Sequence, residues 1–84
     1  MRVKVRLFAR LRELAGRGDW DDDVDDPGGD ASAATVWQTV VRRHPALEPF
    51  GGAISCAVNA NFARMTTAVH DGDEVAFLPP VSGG

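Results

Sequence analysis

Residues 2–9 of the chain alternate in character. Val3, Val5 and Leu7 share one parity while Arg2, Lys4 and Arg6 share the other, the period of a strand with one buried face. Phe8 breaks the alternation, because it places a large aromatic ring on the same parity as the three cations. The following ARLRELAG segment sets Leu11 and Leu14 three residues apart and ends on Gly16, which predicts a short helix stopped by glycine. From Gly16 to Ala34 the pattern is weakest. Trp20 and Val24 share a parity, so a weak strand is expected from about Asp19 to Asp25, its aspartates suited to a sheet edge where charge discourages further pairing. Residues 27–34 read as a solvated loop.

Thr35 precedes Gln38 by three residues, the spacing of a reciprocal capping box, and predicts a helix start there. Val36, Trp37, Val40, Val41 and His44 then fall on one helical face, Arg42 and Arg43 suit the negative end of the helix dipole, and Pro45 closes the element. AISCAVN places Ile54, Cys56 and Val58 on one strand face, and residues 59–65 add a short strand through Phe62 and Arg64. HDGDE signals a turn. The last strand, Glu74 to Leu78, directs Val75 and Phe77 inward and Ala76 and Leu78 outward, after which Pro79 and Pro80, lacking amide hydrogens, end ladder pairing. Strand, short helix, weak strand, helix, then two or three strands predict an α+β fold: one mixed sheet with a helix across one face, compatible with a β-grasp. We expect one domain over 1–84 with a flexible tail at 79–84.

Composition narrows the partners. With 84 residues there is room for one core, and a formal charge of −3 disfavours nucleic acid as the main partner, since phosphate binding needs a basic face. Cys56 is the only cysteine, so no internal disulfide or thiolate cluster is available, which fits a reducing compartment; the cytoplasm is the expectation. The N-terminal stretch lacks the apolar run of a signal peptide and no segment reaches transmembrane length, so the chain is read as starting at or near Met1 and having no membrane partner. The acidic segment Asp19 to Asp30 lacks calcium-loop spacing and a terminal Glu, so an edge strand and loop account for it better. Cys56 has the parity of the buried face and is read as a core residue. His44 and His70 stand without partner ligands, so neither a metal nor a bound cofactor is expected.

The end of the chain, DGDEVAFLPPVSGG, carries the strongest chemical signal. Two prolines and a Val81-Ser82 spacer favour an extended, polyproline-like approach to Gly83 and Gly84, whose lack of side chains suits passage through a narrow channel. An ionised terminal carboxylate is a poor acyl electrophile and needs activation. Coupling to AMP from ATP gives an acyl adenylate whose carbonyl carbon sulfur or an amine can attack.

FARLREL (Phe8 to Leu14), AVN (Ala57 to Asn59) and above all DGDEVAFLPPVSGG resemble the small, sulfur-carrying subunits of molybdopterin synthase, over nearly the whole chain. The departure lies between Gly16 and Ala34, where that family usually has a clearer second strand. The resemblance implies a ubiquitin-like β-grasp, and a terminal glycine adenylated by an ATP-dependent activating enzyme and converted to a thiocarboxylate with sulfur from another protein. The tail then enters the large synthase subunit and gives sulfur to cyclic pyranopterin monophosphate. Gly84 is then the reactive position and Gly83 provides clearance, in a carrier that is a cosubstrate more than an autonomous enzyme. Phe8, Phe62 and Leu78 are expected together on the open sheet face as a docking surface, continued by Pro79, Pro80, Val81 and Ser82. The alternative for Phe8 is a place beneath the short helix. The row Arg2, Lys4, Arg6 is either a solvated face or a steering surface for an acidic partner, and Arg12 matches a family arginine or forms a surface salt bridge. Two other functions fit the ending: a ubiquitin-like modifier joined to lysines through Gly84, and the sulfur carrier of thiamine synthesis.

Overall fold

The computed structural model describes residues 1–80. Five strands form one mixed sheet: β1 (Arg2–Leu7), β2 (Asp19–Asp23), β3 (Ser55–Val58), β4 (Asn61–Ala63) and β5 (Glu74–Leu78), in the order β2-β1-β5-β3-β4. β1 and β5 run parallel at the centre; the other pairs are antiparallel. Helices α1 (Ala9–Ala15) and α2 (Ala33–Arg43) and a 3-10 helix, Pro45–Phe50, complete the elements. This is the β-grasp.

The alternation of β1 decides which side is core. Val3, Val5 and Leu7 are buried with Val75 and Phe77 of β5, Cys56 of β3, Leu11 of α1 and Val36, Trp37 and Val40 of α2. The Trp37 and Phe77 rings meet at 5.0 Å between centroids. Gly16 ends α1 in the left-handed conformation, φ 77°, its N–H donating to the Arg12 carbonyl at 3.0 Å, where a residue with a β-carbon is disfavoured.

Several expectations are corrected. α2 begins two residues earlier than Thr35, because Ser32 is the cap: its N–H donates to Thr35 Oγ1 at 3.0 Å in a capping box. The first free helix donors, Ala33 N–H and Ala34 N–H, reach the carbonyls of Thr67 and Met65 at 3.0 and 2.8 Å. Those tertiary acceptors displace the Thr35–Gln38 box. The segment 27–34 is therefore not wholly solvated; Ala31 and Ala33 are buried. Pro45 ends α2 but also opens the 3-10 helix, which drives Leu47 into the core. β2 stops at Asp23, yet Val24 remains buried through a reciprocal pair of bonds with Met1. Ala76 does face away from the helices, as its parity requires, but neighbouring side chains bury it.

Candidate docking face and C-terminal exit

On the helix-free side of the sheet, strand register sets one row across all five strands. Arg6 stands opposite Asp19 on β2 and Ala76 on β5; Ala76 stands opposite Ala57 on β3, and Ala57 opposite Phe62 on β4. Two residues further along lie Phe8 and Leu78. Phe8, Phe62 and Leu78, with the small Ala57, Ala60 and Ala76 among them and Arg6 and Glu74 at the rim, line an open groove of about 180 Å³. Phe62 is 83% exposed and Phe8 39%; these are the exposed large hydrophobic residues of the described chain.

Phe8 reaches this face by a backbone device. Its own conformation is still extended (φ −120°, ψ 153°) and its N–H donates to the Phe77 carbonyl at 3.3 Å, prolonging the β1–β5 ladder. Ala9 then takes φ 51° to start α1. The ring stays outside, with the Arg6 guanidinium 5.6 Å from its centroid; the alternative of a place beneath α1 is excluded. Phe62 is carried by a two-residue hairpin turn at Asn59 and Ala60, both at positive φ, 51° and 69°. That is the primed geometry matching strand twist. Asn59 further fixes the turn: its Nδ2 donates to Asp73 Oδ1 at 2.9 Å, and its Oδ1 accepts from Glu74 N–H at 3.0 Å. These bonds tie the β3–β4 hairpin to the start of β5. The Asn59 bond and the His70 N–H hold the Asp73 carboxyl below its ordinary range.

The charged half of the face is ordered too. Arg2, Lys4 and Arg6 stand opposite Asp23, Asp21 and Asp19; Arg2 contacts Asp23 at 3.2 Å and Arg6 contacts Glu74 at 3.8 Å. The basic row is thus matched by carboxylates, which weakens its reading as a positive steering surface. Asp22, on the opposite parity, is buried. It accepts from Trp20 Nε1 at 3.1 Å and pairs with Arg43 at 2.8 Å. Above it the Arg17 guanidinium lies 3.9 Å from the Trp20 ring and 3.3 Å from His44 Nε2. Burial first, then Arg17 and Arg43, lower the His44 pKa against the opposing pull of Asp22. Arg12 forms no ion pair among the described residues and lies against Gly18, so the salt-bridge reading fails.

The sequence-predicted site residues Phe8, Phe62 and Leu78 are brought together. Pro79 and Pro80 follow β5 directly at the same end, half-buried and exposed. Val81, Ser82, Gly83 and Gly84 lie outside the described residues. Cys56 is buried, its thiol donating to the Ala63 carbonyl at 3.4 Å, and burial raises its pKa. Among the described residues no group of His, Cys, Asp or Glu is arranged to hold a metal ion, and no helix is long and apolar enough to cross a membrane. Sequence reasoning missed Asn59, Ala60 and Asp22 as shaping residues. Parity with Trp20 and Val24 set Asp22 on the inner face without revealing its partner, and the Asn59-Ala60 turn lacks the glycine that would have signalled it.

The ThiS family profile matches residues 5–84. A molybdopterin synthase sulfur carrier subunit from Chlamydomonas reinhardtii is 35% identical, with 100% of each chain covered. Small archaeal modifier protein 1 from Haloferax volcanii is 40% identical over 98% of this chain and 100% of its own. A crystal structure of that Haloferax protein covers 95% of this chain and 98% of its own at 36% identity, with a TM-score of 0.82. A chain matched so nearly end to end, on a β-grasp sheet, belongs to the ThiS family, in the ubiquitin-like group of the molybdopterin synthase sulfur carrier subunits.

Proposed function

We propose that the chain carries sulfur for molybdopterin synthesis as a thiocarboxylate on Gly84. The observation that carries this reading is the apolar groove of Phe8, Phe62 and Leu78, which sits on the helix-free face where β5 passes into Pro79 and Pro80. A docking surface at the root of the terminus lets a partner grip the body while the end of the chain reaches its active site. The sulfur carrier relatives support it. An ATP-dependent enzyme docks on the groove and adenylates Gly84. Sulfur from a donor protein displaces AMP, and the large synthase subunit then binds the same groove and takes sulfur for cyclic pyranopterin monophosphate. ATP is held by the activating enzyme, and the bases of the reaction belong to the partners. The groove binds and orients; Gly83 and Gly84 keep the carbonyl unobstructed.

Intact-mass spectrometry of protein from cells with an active sulfur pathway tests the reading. A species gaining the mass difference between sulfur and oxygen is expected, and tandem fragmentation must place it on Gly84, because oxidation of Met1 or Met65 gains nearly the same mass. Normal molybdopterin formation by a Gly84-deleted variant refutes it. A second reading is supported by the 40% identity to a small archaeal modifier: transfer of activated Gly84 to lysines of other proteins. Gly84-dependent ladders on denaturing immunoblots distinguish it.

A further inference from the structure

Of nine Lys and Arg residues in the chain, Lys4 alone is a lysine. The α-amino group of Met1 is engaged: it donates to the Val24 carbonyl at 2.9 Å, and Val24 N–H donates back to the Met1 carbonyl at 2.8 Å. Lys4 is exposed at the middle of β1, on the helix-free face. Its row neighbours Arg2 and Arg6 each hold a carboxylate, whereas Lys4 Nζ has none within 4.0 Å among the described residues. A lysine amine, unlike a guanidinium, is the side chain that takes acyl groups. One acceptor is thus presented on the same face that carries the groove.

We propose that Lys4 is a modification site, at which a second copy of this chain is attached through its activated Gly84, and that the attachment closes the docking face of the copy receiving it. This rests on the activation of Gly84 argued above, a step that both functional readings share. In the reaction the unprotonated Nζ attacks the carbonyl carbon of the Gly84 adenylate. The N–C bond forms, the bond from that carbon to the phosphate oxygen breaks, AMP leaves with the electron pair, and the amine proton passes to water. ATP, consumed by the adenylating enzyme, is the only further reactant.

The consequence follows from strand geometry. Lys4 and Arg6 are two residues apart on one face, about 7 Å, and Arg6 rims the groove. An attachment at Lys4 therefore lies one step along the strand from the rim of the groove, and the bulk of the attached copy obstructs the face. In the linked pair the donor has spent its terminus and the acceptor has lost its open face, so neither copy retains both. Attachment at Lys4 removes two carriers from use.

The test incubates the purified full chain with the ATP-dependent adenylating enzyme of its own organism, magnesium and ATP, without a sulfur donor. Pyrophosphate release, which reports adenylation, and intact mass are read together. Wild type is expected to release pyrophosphate and yield a species of twice the chain mass less one water, with the isopeptide bond mapped to Lys4. Lys4→Arg is expected to release pyrophosphate at the wild-type rate in the first turnover with at least tenfold less of the linked species. The purified linked pair is expected to bind one large synthase subunit, through the donor copy's face, where two free chains bind two. A linked species that persists in Lys4→Arg or maps to Met1, or pyrophosphate release without a linked species, overturns the Lys4 assignment alone. Binding of two large subunits per linked pair overturns the closing of the face. Absence of pyrophosphate release overturns the activation of Gly84 and this inference with it.

Discussion

Phe62 and Phe77 stand on opposite sides of the same sheet, and truncating each separates docking from folding. Phe77 is fully buried against Trp37, and Phe62 is 83% exposed. Phe77→Ala loses the transfer energy of its ring and leaves a cavity, costing about 3–5 kcal/mol. An 84-residue domain holds roughly 4–13 kcal/mol in all. Urea slopes for small proteins begin at about 1 kcal/mol per M, so the midpoint falls by up to several molar and the variant is expected to be partly unfolded in buffer. Phe62→Ala uncovers nothing in the free chain and should stay within about 0.5 kcal/mol of wild type. Its loss is expected at the interface. A phenyl ring buried there is worth about 1.5–3 kcal/mol, or roughly 10- to 150-fold in Kd. Urea titrations followed by far-UV circular dichroism avoid relying on Trp37, whose emission Phe77 itself influences. Calorimetry with the large synthase subunit supplies the affinities. Wild-type affinity in Phe62→Ala refutes the docking assignment, and a stability loss of about 2 kcal/mol or more in the same variant refutes the claim that the ring is held for a partner.

Other substitutions probe the supports of the face. Ala60→Gly relieves the positive φ of the hairpin and should raise stability by about 0.5–1 kcal/mol; a lower urea midpoint contradicts the turn geometry. Asp22→Ala removes the buried acceptor of Arg43 and Trp20 and should cost about 1–3 kcal/mol, whereas Asp23→Ala breaks an ion pair exposed on both sides and should cost under about 1 kcal/mol in the same titration. Acidification should destabilise in two windows. Because burial and two arginines lower the folded pKa of His44, the unfolded chain takes up a proton first; stability falls as pH drops below the ordinary value of 6.5 and levels off beneath the folded pKa. The depressed Asp73 contributes stability above its ordinary value of 3.8, lost as pH falls through the folded pKa. Thermal melts of His44→Gln should lack the first loss and keep the second.

The parts of the fold legible in the sequence are those set by local period. The two faces of β1, the inward pair Val75 and Phe77, and the grouping of Phe8 with Leu78 all follow from alternation once β1 and β5 are neighbours. What was illegible depends on contacts distant in sequence. Ser32 displaces Thr35 as the cap because the carbonyls of Met65 and Thr67 meet the first turn of α2. The 3-10 helix at Pro45–Phe50 has too few residues to display a period. Ala60 sits in a turn position that favours glycine, so local propensity pointed away from it. Asp22 is buried only because Arg43, twenty-one residues on, reaches it.

Division of labour between the faces explains why the chain tolerates an exposed apolar groove. Two terminal glycines have no side chains, so under the proposed function the segment that reacts contributes little contact area. Affinity must come from elsewhere. Aromatic side chains in the core would serve the fold alone; on the helix-free face, at the root of the tail, the proposed function has them provide binding energy within reach of the chemistry. An apolar face of this kind invites association between copies. Here the groove spans only part of the sheet, and on the far side the ladder of Arg2, Lys4 and Arg6 against Asp23, Asp21 and Asp19 leads to an acidic edge strand. Two copies meeting edge to edge at β2 place aspartates against aspartates. The aspartates of β2 thus guard that edge of the sheet from self-pairing while the groove stays open.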